Sequence, residues 1–230
     1  MLIADGALVR IPATSFTMGS DAGRDDEGPA HRVSVSAFGI GKWQVTNGEY
    51  DTFLHSSPAA PRPPHRDDPG FHHADQPVVA VSWFDAVRYC QWLGEVTGRP
   101  FRLPTEAEWE CAARGGVEGA LHPWGDDPRS RPDHHARWIG GPEKRATGAP
   151  NGFGVYDMCE NVHEWCSDWY SAGYYAASPE QNPPGPETGS RRASRGGSWR
   201  HQIKVSRCAA RSSIPPELRY ADYGFRVACG

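Results

Sequence analysis

The stretch Asn151–Tyr170 reads NGFGVYDMCENVHEWCSDWY, and its interpretation decides what kind of domain this is. Its opening follows Pro-rich sequence and starts no helix, so the glycines do not form a phosphate-binding loop. Further on, His163 and Glu164 are neighbours on a segment that reads as extended. Neighbours on such a backbone point to opposite faces. One strand can therefore show an imidazole to one environment and a carboxylate to another.

Around this stretch the chain has 230 residues, 38% of them hydrophobic, with 9 Trp, 26 Gly and 21 Pro. That mixture points to a loop-rich globular domain whose large aromatics supply much of the buried area. The length suits a single domain over residues 1–230. A net charge of -4 gives no electrostatic case for nucleic acid. Mean hydropathy is -0.64, and no apolar run approaches the roughly 20 residues that span a bilayer. The first residues, MLIADGALVRIPATSF, lack a basic segment followed by an apolar one, so they read as a first strand and the expected location is the cytoplasm. Six cysteines without a CxxC pair read as buried thiols in such a chain.

Alternating apolar and polar residues over 7–19 and 31–41 predict strands, Arg32–Ile40 (RVSVSAFGI) most clearly. The charged run between them, DAGRDDEGPA (21–30), reads as a solvated loop. Three capping boxes follow: Thr46 with Glu49, Ser82 with Asp85, and Thr105 with Glu108. They predict helices over 47–55, from Ser82 to Thr97, and from Thr105 to Arg114, with Gly98 and Gly115-Gly116 as stops. Beyond Gly116 no helical period persists. Residues 56–77 and 117–150 read as long loops. The expected class is α+β, with short irregular sheets and two to three helices.

Four runs occur in one order: FRLPTEAEWECAARGG (101–116), the quoted stretch, RGGSWRHQ (195–202) and YGFRVA (223–228). This order resembles the formylglycine-generating (sulfatase-modifying) enzyme family. IPATSFTMGS (11–20) and KWQVTNGEY (42–50) resemble the family's opening. The resemblance implies an asymmetric, loop-rich relative of the C-type lectin fold. In the copper-dependent members two cysteines follow the GGS turn, bind copper(I) and oxidise a substrate cysteine. Here Gly196-Gly197-Ser198-Trp199-Arg200 leads to His201 in the first cysteine's place, and the second has no counterpart. Soft thiolates select copper(I), so their loss argues against the copper oxidase chemistry.

Carried over singly, the resemblance places His163 where the family has tryptophan and Asp222 where it has asparagine. His163, His201 and Asp222 would then share one pocket, with Ser198 and Trp199 shaping it. Two imidazoles and a carboxylate are the ligand set of a non-haem iron(II) site, and zinc or copper(II) would also suit them. The resemblance also implies a structural calcium site: Asp157 and Glu164 by side chain, Glu160 and Val162 by carbonyl. Pairing of Glu164 with an arginine is the alternative. Arg211 and Arg226 are expected to hold the fold. His72-His73 and His134-His135 are expected to be solvated loop residues.

These readings imply a metal-dependent, oxygen-using oxidoreductase acting on a small molecule or peptide. Family branches that act in ergothioneine and pyoverdine pathways show that the scaffold is not tied to sulfatases. The alternative is a non-catalytic binding member, a pseudo-enzyme or lectin-like display domain. Convergent imidazoles favour the enzyme, whereas divergent, solvent-facing rings favour the binder. Substrate and oligomeric state are open at this stage.

Overall fold

Each helix starts where a hydroxyl and a carboxylate three residues apart satisfy free amides. The computed structural model describes residues 7–127, 140–201 and 205–230. Helices α1 (Asn47–Ser56), α2 (Trp83–Thr97) and α3 (Glu106–Arg114) all carry complete capping boxes, from Thr46, Ser82 and Thr105. Gly98 and Gly115 end α2 and α3 in left-handed conformations, at φ 69° and 61°. The three predicted helices are thus present at the expected positions.

The strands are short. β1 (Leu8–Ile11), β4 (Phe38–Gly41), β5 (Phe101–Arg102) and β10 (Ala228–Cys229) form one sheet in the order β1-β4-β10-β5. β2 (Thr14–Met18) pairs with β3 (His31–Val35). The third sheet has the order β8-β7-β6-β9, from β6 (His163–Trp169), β7 (Arg192–Arg195), β8 (Arg211–Ile214) and β9 (Tyr223–Gly224). With three α-helices and short sheets among the described residues, joined by long loops, the protein is the α+β architecture expected.

Two strand expectations need correction. Arg32–Ile40 is not one strand: the run breaks after Val35, and its halves β3 and β4 join different sheets. At the break the Ser36 amide bonds the Asn182 side chain at 2.7 Å instead of a ladder partner. Residues 7–19 divide likewise into β1 and β2. A period of two persists through a change of sheet, so the pattern alone could not show the bend.

The 21–30 loop is not simply solvated either. Asp25–Glu27 form a single 3-10 turn, and Glu27 is fully buried. Its carboxylate takes two hydrogen bonds from Arg207, at 2.6 and 2.7 Å.

Helix α3 explains the EAEWE spelling. Glu106 and Glu110, one turn apart, reach buried arginines of the third sheet. Glu106 pairs with Arg211 at 2.8 and 2.9 Å, and Glu110 with Arg195 and with Arg114 at 2.6 Å. Burial pushes the Glu106 carboxyl up, but Arg211 and Arg195 outweigh it and hold it below the usual range. Trp109, fully buried between these glutamates in sequence, packs against the Gly196 position. These contacts fix the end of β7, from which the GGS turn departs.

Candidate metal centre

β6 lies between β7 and β9, antiparallel to the first and parallel to the second. The antiparallel register sets Glu164 opposite Arg195, so the turn after Arg195 begins beside the start of β6. The parallel register sets His163 opposite Tyr223, and the His163 amide bonds the Asp222 carbonyl at 2.8 Å. Three separate segments therefore deliver His163, the GGS turn and Asp222 to one edge of the sheet.

The turn needs its glycines. Gly196 and Gly197 sit at φ 98° and 68°, and a Cβ on Gly197 would stand 2.5 Å from Ser206 Oγ. The Ser198 carbonyl accepts the His201 amide at 2.9 Å, which curls the chain back toward β6.

His163, His201 and Asp222 present ligand atoms that all lie within 4.8 Å of one another. His163 Nε2 and His201 Nδ1 are 3.1 Å apart. Ser198 Oγ donates to Asp222 Oδ2 at 2.9 Å and lies 3.3 Å from His201 Nδ1. His163 and Asp222 are buried, and His201 is partly exposed. The Tyr223 ring stacks on His163 with 4.7 Å between centroids and an interplanar angle of 26°.

Burial and the neighbouring His201 lower the His163 pKa to about 4, against the opposing pull of Asp222 and the Arg195 backbone. Burial also lowers the pKa of His201, with Asp222 opposing. Both rings are therefore neutral at pH 7, the form that can ligate a metal. The donor set fits a transition metal: two cis ligands about 2.1 Å from one ion stand about 3 Å apart, close to the histidine spacing.

A cavity of about 150 Å³ opens beside the two histidines and is also lined by Arg24, the glycine turn and Ser212. Trp199 is held by its amide, which bonds the Asn161 carbonyl at 2.8 Å, and its ring meets Phe71 at 6.3 Å between centroids. The 56–77 loop thus touches Trp199, which, like Ser198, flanks the histidines without lining this cavity. Among the described residues, His72 is exposed and His73 half-buried, and neither joins the histidine cluster. His134 and His135 lie outside the described residues.

Of the donors expected for calcium, the Glu164 side chain is satisfied by the protein itself. Glu164 points to the opposite face from His163, and both its oxygens are engaged. Arg226 donates at 2.5 and 2.8 Å, Trp109 Nε1 at 2.7 Å and Gln44 Nε2 at 2.9 Å. Glu164 thus pairs with an arginine, as its alternative reading had it. Asp157 Oδ2 accepts the Ala146 amide at 2.7 Å, and its carbonyl accepts from Gln44 at 2.9 Å. The Glu160 carbonyl accepts the Val162 amide at 2.9 Å. The strained backbone here lies at Asp157, Cys159 and Asn161, with φ 58°, 63° and 68°, and not at Glu160. Arg211 and Arg226 hold the fold, as expected.

Sequence reasoning missed Arg24 and Arg200. Arg24 comes from the loop read as solvated. Arg200 approaches Asp222 Oδ1 to 3.6 Å, a contact that only the curled turn creates. Tyr223 could have been found from its place at the head of the YGFR run, next to Asp222.

The loop-rich α+β scaffold with its short sheets defines the class, and the His/His/carboxylate cluster is set into it. The chain belongs to the family described as the sulfatase-modifying factor enzyme 1-like domain, whose model matches residues 4–229. It is 35% identical to the formylglycine-generating enzyme of Thermomonospora curvata, over 98% of this chain and 94% of that protein. The bovine (Bos taurus) formylglycine-generating enzyme is 34% identical over 96% of this chain and 74% of its own length. The solved structure of PvdO from Pseudomonas aeruginosa superposes with a TM-score of 0.84 at 31% identity, covering 96% of this chain and 93% of that one.

Proposed function

We propose that this protein is a metal-dependent, oxygen-using oxidoreductase in which His163, His201 and Asp222 hold non-haem iron(II) and the substrate is a small molecule or peptide. The carrying observation is the 3.1 Å approach of His163 Nε2 to His201 Nδ1, with a ligand atom of Asp222 within 4.8 Å of both. Convergent rings support this reading over the non-catalytic binder, which called for divergent ones. Similarity to formylglycine-generating enzymes and to PvdO supports the family context, while His201 in place of a copper-binding cysteine argues against the copper mechanism.

Bound iron(II) would supply redox chemistry with dioxygen. The chain's own residues supply the rest. Ser198 holds the Asp222 carboxylate by donating a hydrogen bond from its hydroxyl. Tyr223 fixes the plane of His163 by stacking. The 150 Å³ cavity admits a compact reacting group beside the histidines. The six free, buried thiols suit a reducing compartment, in keeping with a cytoplasmic location.

The test is anaerobic iron(II) reconstitution, metal analysis and oxygen uptake on a panel of small molecules and peptides. About one iron per chain is expected, lost in His201→Ala and Asp222→Ala. A folded protein that takes up no metal, or takes it up equally in His201→Ala, overturns the reading.

A further inference from the structure

The two oxygens of Asp222 are held very differently. Oδ2 accepts the buried Ser198 hydroxyl at 2.9 Å. Oδ1 faces Arg200 Nη1 at 3.6 Å, an ion pair too long for a direct hydrogen bond. The Arg200 side chain is 45% exposed, whereas that of Asp222 is 8% exposed. The Arg200 guanidinium lies 5.2 Å from the Trp199 ring centroid, a perch that does not depend on Asp222. Two other arginines near the site are anchored far more firmly. Arg226 is fully buried on Glu164, and Arg211 on Glu106. Arg24, on the cavity wall, is as exposed as Arg200 but already serves two carboxylates, Asp26 and Glu27, at 3.4 and 3.3 Å.

We propose that Arg200 is a displaceable counter-ion of Asp222: a metal ion at the three-ligand site releases its guanidinium, which then binds a carboxylate or similar anionic group of the substrate. The inference rests on the metal-site reading above. Its physical basis is competition. Without metal, the nearly buried Asp222 carboxylate is stabilised by a cation, and among the described residues Arg200 is the one paired with it. A divalent ion on Asp222 neutralises that charge and repels the guanidinium. Arg200 is then a half-exposed cation beside the reacting centre, with a planar donor fork suited to carboxylate. Metal and anion should accordingly bind with positive coupling, each favouring the other.

The experiment titrates metal-free wild-type protein, Arg200→Gln, Arg200→Lys and His201→Ala with cobalt(II). Calorimetry and cobalt's visible absorption are the readouts, each with and without acetate as the anionic probe. Circular dichroism checks the fold of every variant. Arg200→Gln should bind cobalt about fivefold more tightly than wild type, because the competitor is gone. Acetate should tighten cobalt binding to wild type and to Arg200→Lys but not to Arg200→Gln, which controls for acetate binding directly to the metal. Equal or weaker cobalt binding by Arg200→Gln, or an equal acetate effect in it and wild type, overturns the counter-ion inference while leaving the metal site standing. Failure of folded wild type to bind cobalt, or equal binding by His201→Ala, overturns the metal site and this inference with it.

Discussion

His163 Nε2 and His201 Nδ1 meet at 3.1 Å across 38 residues of chain. Nothing local brings them together. The parallel and antiparallel neighbours of β6 do so, and His163 becomes buried in the process. That burial has a consequence for stability.

In the folded protein His163 stays neutral down to about pH 4, whereas an unfolded chain takes up the proton near pH 6.5. Between those values the unfolded state binds more protons, so this group makes stability rise with pH. The penalty is absent well above pH 6.5, grows as pH falls, and is complete below about 4. It amounts to on the order of 3 kcal/mol. Urea denaturation of metal-free protein across this range should show a shallower pH slope for His163→Phe than for wild type. Identical slopes would show that His163 is not held neutral by the fold.

Glu164→Gln is expected to cost about 3–5 kcal/mol, because it leaves the Arg226 guanidinium buried with a neutral partner. Since the Arg226 charge already serves Glu164, added calcium should not raise the Tm of wild type. A calcium-dependent rise in Tm that Glu164→Gln abolishes would restore the calcium site.

Gly197→Ala places a methyl 2.5 Å from Ser206 Oγ at a residue with φ 68°. A loss of about 1–3 kcal/mol is expected from the left-handed strain, more if Ser206 cannot give way. The turn also aims Ser198 and His201, so cobalt(II) affinity should fall even where circular dichroism shows folded protein. Unchanged affinity would mean that the turn does not orient the ligands.

All six thiols are buried and unpaired. Burial pushes Cys111 up to about 12 and Cys90, Cys159 and Cys166 upward as well. Thiolate is the reactive form. A disulfide reagent such as DTNB at pH 8 should therefore label native protein far more slowly than urea-unfolded protein, which should yield six equivalents. Rapid labelling of a native thiol would contradict this burial.

The helices were legible because their signals are local: a capping box and a glycine stop lie within one or two turns of chain. The opposed directions of His163 and Glu164 were legible for the same reason. The bend between Val35 and Phe38 was not, because its cause, Asn182, lies 146 residues away in sequence. The convergence of His163, His201 and Asp222 could be suspected only through resemblance, since spacing along the chain says nothing of a parallel strand pair. Glu164 had two plausible partners on paper, and only the packing of Arg226 chose between them. Arg200 gave no signal, because its relation to Asp222 exists only once the turn has curled.

The two-sidedness of β6 makes the protein unusually sensitive to reading-frame-preserving insertions. One residue added just before His163 would exchange the faces of the side chains that follow. An imidazole would then face the Arg226 guanidinium, and a naked carboxylate would line the cleft. Length variation in this lineage should therefore gather in the long connections and spare the few residues between Val162 and Trp165.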